Sequence, residues 1–273
     1  MAAAHETRNM ALFCDFENVA LGVQDAKYDK FDIGKVLERL LLKGSIVVKK
    51  AYCDWERYKA FKAPMHEASF ELIEIPHVRQ SGKNSADIRM VVDALDLCYT
   101  KAHVDTFVII SGDSDFSPLV SKLRENDKRV IGVGVKNSTS DLLIANCDEF
   151  IFYDDLVRQQ KKSAARRAPP RPAVVMEGTA PAKKGDDARR QEALELIAET
   201  VEALIAERGE DEKVWGSMVK QALKRRKPGF AESFYGFRSF NGLLEEAERR
   251  GALKLERDEK SGGYVVRLQV AQE

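Results

Sequence analysis

The sequence contains no apolar run long enough to cross a bilayer, and its opening residues, MAAAHETRN, lack the apolar core of a secretory leader. Membrane insertion is therefore not expected, and a cytoplasmic location is. Cysteine is scarce: Cys14, Cys53, Cys98 and Cys147 stand far apart with no C-x-x-C pair. That spacing argues against a zinc cluster and a disulfide framework, and leaves four thiols that pack as small hydrophobes. An excess of charge of one sign is also missing, since the net charge is zero. The balance is nevertheless uneven: net −5 over residues 1–155, +7 over 156–190, −5 over 191–210 and +3 over 211–273.

What is present is a soluble globular composition, 44% hydrophobic and 32% charged, in a chain of 273 residues whose length suits two modest domains. Between them, KKSAARRAPPRPAVV and TAPAKKGDDARR are rich in Pro, Ala and Arg and poor in large apolar residues. Such a segment cannot offset the entropy of ordering its backbone, so residues 156–189 are expected to be a flexible basic linker between domains at 1–155 and 190–273.

In the first domain, strand-like segments (MALFCDF, SIVVKKAYCDW, FELIEIPHV, DTFVIIS, KRVIGVGV, EFIFYD) alternate with helix-like ones (FDIGKVLERLLLK, ERYKAFKAPMHEASF, SADIRMVVDALDLCYTKA, FSPLVSKLREND). The order predicts an α/β fold: a three-layer α/β/α domain around a mostly parallel sheet. Ligands of such sheets sit beyond the carboxyl ends of the strands, near the point where strand order reverses.

Acids fall at that edge. Asp15 ends the first strand, with Glu17 and Asn18 just beyond; Ser111, Asp113 and Asp115 follow the fourth; Asp87 opens the helix SADIRMVVDALDL. If they converge they repel, by about 4 kcal/mol for a pair roughly 4 Å apart at an effective dielectric near 20. A cation or a shared proton must relieve that. With neither Cys nor His in motif spacing, oxygen ligands favour a hard ion, Mg²⁺ or Mn²⁺, which suits phosphodiester hydrolysis without a protein nucleophile.

Plainer readings exist beside these. Asp87 is placed to cap its helix with Asn84, and Asp113 and Asp115 are common turn formers. Asp15, directly after ALFC, has no evident turn chemistry. Asp93 and Asp96 read as solvated or ion-paired, and Lys83 either neutralises the acids, contacts phosphate or lies exposed in a loop.

Taken together, LFCDFENV, GKNSADIRMVVDAL, FVIISGDSDFSPLV, DKRVIGVGV and STSDLLIANCDEFIFYD resemble the NYN domain, a branch of the PIN-like nuclease superfamily, over residues 9–155. The resemblance implies a Mg²⁺- or Mn²⁺-dependent RNA endonuclease whose metal-binding acids correspond to Asp15, Asp87 and Asp113. Asp115 is then an additional acid, Asn18 the polar residue after the first acid, and Ser111 the small hydroxyl residue ending the fourth strand.

After the linker, Leu194, Ile197, Val201, Leu204 and Ile205 share one helical face, closed by Gly209. Further helices and two short strands around SGG predict a winged helix-turn-helix. Lys224, Pro228, Phe230, Tyr235, Gly236, Phe237, Phe240, Leu243 and Leu244 resemble the LOTUS (OST-HTH) module over about residues 190–268. That resemblance implies RNA binding, to single-stranded or structured RNA, or docking of a protein partner. Phe237, Phe240 and Leu244 follow helical spacing and read as core. Lys224, Arg225, Arg226, Lys227 and Arg238 are candidate phosphate contacts. Two other function classes remain open: a non-catalytic RNA-binding or protein-docking regulator, and a haloacid-dehalogenase-like phosphatase with Asp15 as nucleophile. Against the phosphatase, Ser111 and Asp113 share one strand end, whereas that chemistry needs separate hydroxyl and lysine motifs.

Overall fold

The computed structural model describes residues 8–75, 85–158, 184–209, 212–258 and 262–269, and the chain divides into two compact units, Met1–Pro169 and Pro170–Glu273. Lys83, the end of the FELIEIPHV segment and most of the basic linker lie outside the described residues.

The first unit runs β1 (Arg8–Asp15), α1 (Phe16–Asp25), α2 (Ile33–Lys43), β2 (Gly44–Cys53), α3 (Lys59–Glu67), β3 (Glu71–Glu74), α4 (Ser85–Thr100), β4 (Thr106–Ile110), α5 (Ser117–Glu125), β5 (Arg129–Gly134), α6 (Asp141–Asn146) and β6 (Glu149–Phe152). The strands form one sheet in the order β3-β2-β1-β4-β5-β6, and every ladder between them is parallel. This is the doubly wound arrangement, whose strand order reverses between β1 and β4.

Both faces of the sheet are buried, which is why β1 and β4 read as continuous apolar runs. The period-2 alternation divides them. Met10, Leu12 and Cys14 of β1 join Val108 and Ile110 of β4 on one face, against Val19 and Val23 of α1 and Val36 and Leu40 of α2. Ala11 and Phe13 join Phe107 and Ile109 on the other, against Met90, Ala94 and Cys98 of α4 and Leu119, Val120 and Leu123 of α5. Asp15 continues the odd-numbered series, so it leaves the strand on the α4 side. Cys14, Cys53 and Cys98 are buried as expected, while Cys147 is half-buried.

α1 was not among the expected helices. Its sequence, FENVALGVQD, is weakly helical, but Phe16 fixes its first turn. The ring is fully buried, with centroids of Trp55, Phe61, Tyr58 and Phe31 at 5.0, 5.1, 5.5 and 6.0 Å. Burial of that one side chain stabilises the fold by roughly 1.5–3 kcal/mol.

The second unit runs α7 (Lys184–Arg208), β7 (Val214–Trp215), α8 (Gly216–Arg226), α9 (Phe240–Arg249), β8 (Leu253–Arg257) and β9 (Tyr264–Leu268), with an antiparallel sheet in the order β7-β9-β8. Leu194, Ile197, Val201 and Leu204 are buried along α7, and Gly209 follows the helix at φ +96°. Phe240, Leu243 and Leu244 are buried, but α9 begins at Phe240, capped by Ser239 accepting from Gly242 N. Phe237 therefore precedes the helix rather than belonging to it, and the Arg190 guanidinium lies 5.8 Å from its ring. Among the described residues no helix is long and apolar enough to cross a membrane.

Candidate functional site

The carboxyl ends of β1 and β4 lie side by side at the point where strand order reverses, and hydrogen bonds tie them together. Ser111, fully buried just past β4, donates its Oγ hydrogen to Asp15 Oδ2 at 2.9 Å and accepts from the Asp113 N–H at 3.2 Å. Asn18 Oδ1 accepts from the Gly112 N–H at 2.8 Å. Gly112 is required there, because a Cβ would run into the Ser138 carbonyl oxygen, and its own carbonyl accepts from Ser140 N at 2.9 Å.

Local roles account for part of two of these acids, one of them expected and one not. Asp15 does have local chemistry: it is the N-cap of α1, with Oδ1 accepting from Asn18 N at 3.4 Å. The expectation that it had no local turn chemistry is corrected, because α1 begins at the very next residue. Asp113 caps the following turn, accepting from Asp115 N at 3.0 Å. Neither role consumes the whole carboxylate.

Asp87 sits in the first turn of α4, on the same side of the sheet as Asp15. The electrostatics show the gathering. Asp15, only 8% exposed, has its carboxyl pushed up to about 7, first by burial and then by Asp87, with Ser111 and the Asn18 N–H opposing and Asp113 adding to the rise. Asp87 is also raised, by burial and then by Asp113, Asp115 and Glu17. Asp115 is exposed at the rim. Glu17 belongs to this acidic group although its position beside Asp15 had not marked it as a site residue; Arg57 pairs with it at 3.0 Å. Asp93 is ion-paired with Arg89 at 3.0 Å and with Lys50 at 3.4 Å, and accepts from Tyr52 OH at 2.9 Å, so it braces α4 against β2.

Among the described residues, no three His, Cys, Asp or Glu side chains are already drawn around a point that would hold an ion. An oxygen-only donor set, with one carboxyl held up by burial and then by its acidic neighbours, fits a hydrated hard cation.

In the second unit, Lys224, Lys227 and Arg238 are exposed. Arg226 instead turns inward, with Nη2 donating to Glu199 Oε1 at 3.2 Å and Nη1 to Thr200 Oγ1 at 3.4 Å, so it fastens α8 to α7. Arg225 is half-buried.

A doubly wound parallel sheet with carboxylates gathered where its strand order reverses defines the class: a Rossmann-like domain of the PIN-like nuclease kind. Residues 9–154 match the NYN domain, more than half of the chain, and the protein belongs to the NYN domain family. Domains of this superfamily generally use divalent metals. An uncharacterized protein of Methanocaldococcus jannaschii is 26% identical over 140 residues, covering 48% of this chain and 55% of that one. The chain thus spans about half the length of that curated relative. The crystal structure of a protein of unknown function from Vibrio parahaemolyticus matches with a TM-score of 0.50 and 26% identity, over 56% of this chain and 97% of that one.

Proposed function

We propose that the protein is a metal-dependent endoribonuclease that hydrolyses RNA phosphodiester bonds at the β1–β4 edge. The observation that carries this reading is Asp15: a carboxylate buried at the ligand-binding edge of the sheet, held by Ser111 and crowded by Asp87 and Asp113. A carboxyl raised to about 7 at such a position is functional in character. Asp15, Asp87 and Asp113 are the residues that would hold Mg²⁺ or Mn²⁺. When bound there, such an ion supplies Lewis-acid polarisation of a phosphoryl oxygen and acidifies a water.

The chain's own residues supply the order of the site. Ser111 fixes the direction of the Asp15 carboxylate and, through the Asp113 N–H, the start of the next turn. Asn18 locks the Gly112 backbone, so the two strand ends keep one spacing. Asp87 approaches from α4, and Asp115 adds negative charge at the rim. The first domain carries net negative charge over residues 1–155 and should hold RNA weakly by itself. In this reading the basic linker and a LOTUS-like second unit, offering Lys224, Lys227 and Arg238, raise the local concentration of RNA, and the second unit is also where a protein partner would dock.

The test is cleavage of single-stranded RNA by the purified full chain with Mg²⁺ or Mn²⁺. Cleavage should vanish with EDTA and return on metal add-back, and Asp15→Asn or Asp113→Asn should slow it by about 100-fold or more while melting stays cooperative. Tight RNA binding with no metal-dependent cutting would transfer the protein to the regulator class; rapid turnover of a small phosphomonoester would transfer it to the phosphatases.

A further inference from the structure

One face of α4 is occupied by the sheet. Met90, Ala94 and Cys98 are buried there at i, i+4 and i+8, the apolar stripe that a surface helix needs. The residues pointing the other way should then be polar, yet Ile88, Val92 and Tyr99 are 62%, 55% and 64% exposed. Of the large hydrophobic side chains exposed among the described residues, no other element carries so many. At 3.6 residues per turn the three fall within about 40° of arc, so they form one stripe rather than scattered contacts with water.

The stripe has the spacing of a seam between helices. Ser85, Val92 and Tyr99 recur at seven-residue intervals, and Ile88 and Leu95 follow the first two by three residues, with Leu95 half-buried at the stripe's edge. Ser85, Ile88, Arg89 and Val92 bound a shallow depression that continues along Asp93 and Asp96. Four residues so spaced are the hole that receives one side chain of a facing helix.

A second copy running antiparallel supplies that side chain. About a twofold axis near the middle of α4, Ile88 meets the partner's Tyr99, Val92 meets the partner's Leu95, and each Tyr99 ring enters the other copy's depression. The same register sets Arg89 beside the partner's Asp96 and, by symmetry, Asp96 beside the partner's Arg89. Both charges are exposed and lie on one flank of the stripe. A face carrying one charge of each sign at these positions complements itself, whereas a surface for a polyanion would carry cations alone. We propose that this face of α4 joins two copies of the chain in an antiparallel, twofold pair. Asp87 immediately precedes Ile88, so the two acidic edges come to opposite ends of the paired helices, about 20 Å apart along their axis. The pairing does not depend on the reaction those edges perform.

The experiment is sedimentation equilibrium of the full chain in EDTA between about 1 and 100 µM. Wild type should associate reversibly to a dimer in that range. Val92→Asp, at an exposed position, should weaken association about 100-fold or more by placing a carboxylate in the apolar seam. Arg89→Asp and Asp96→Arg should each weaken it about 10-fold, and the two together should restore it to within about threefold of wild type, because opposite signs again face each other with their places exchanged. Arg89 also pairs with Asp93 of its own helix at 3.0 Å; loss of that contact is read separately, from the melting of each variant as a monomer. A chain that stays monomeric to about 100 µM overturns the proposal and leaves the face to a different protein. A dimer that Val92→Asp leaves intact, or paired charge variants that give no recovery, overturns it equally.

Discussion

At the scale of single residues, Asp15 links the site to pH. Its carboxyl titrates near 3.8 in an unfolded chain and at about 7 in the folded protein, so between those values the folded state binds the extra proton. The contribution of Asp15 to stability is therefore fully present below about pH 4 and is lost as pH rises through about 7, by on the order of 4 kcal/mol in all in the absence of a cation. Denaturant unfolding in EDTA at pH 5 and 7.5 should show the part of this loss that falls in that window, roughly 2–3 kcal/mol, and Asp15→Asn should flatten it. Saturating Mg²⁺ or Mn²⁺ should flatten it too, since an ion bound to the folded carboxylate offsets the repulsion by mass action. A pH slope in EDTA that Asp15→Asn leaves unaltered would assign the effect to other groups. The acids themselves were legible in the sequence because acids rarely end buried strands by accident. The cap made by Asp15 was not, since it depends on α1 starting one residue later, which weak local propensity conceals.

At the scale of elements, the strands were readable as apolar runs, and their observed limits lie within or close to the expected ones; β4, expected over 105–111, spans Thr106–Ile110. α4 and α5 followed their spacing for the same reason. α6 was missed because its six residues, DLLIAN, are too few to show a helical period. The aromatic packing under the site was likewise hidden, because Phe16, Phe31, Trp55, Tyr58 and Phe61 come from separate segments. Phe16→Ala tests its weight. Removing a fully buried ring at the base of α1 should cost about 3–5 kcal/mol, read from the denaturation midpoint. Because Asn18 is carried on the same helix, the site should loosen as well: a loss below about 1 kcal/mol would mean that α1 is held by its cap instead.

At the scale of the whole molecule, the two units invite separation, and the structure indicates where to cut. Leu156 is buried in the core of the first unit, Tyr153 OH accepts from Asp32 N at 2.9 Å, and Asp154 accepts from Tyr28 OH at 3.0 Å and Lys136 N at 2.8 Å. The domain limit expected at residue 155 would strip Leu156 from that core, so truncation belongs after Arg158. A chain ending there should keep cooperative unfolding and, at saturating enzyme, most of its single-turnover cleavage rate, while RNA affinity drops by about 10-fold or more. Unchanged affinity, measured by titration of labelled RNA, would refute the recruiting role of the second unit.

The Ser111–Asp15 bond spans 96 positions of sequence, and the β1–β4 ladder that sets it up is just as distant along the polypeptide. Such long-range pairing is slow to form and costly in loop closure. A growing chain still on the ribosome, with β4 not yet emerged, has Asp15 and its local cap but lacks the Ser111 hydroxyl that holds the other carboxylate oxygen. Whatever chemistry this pocket performs is thus withheld from half-made or partly opened copies, a form of latency that needs no inhibitor.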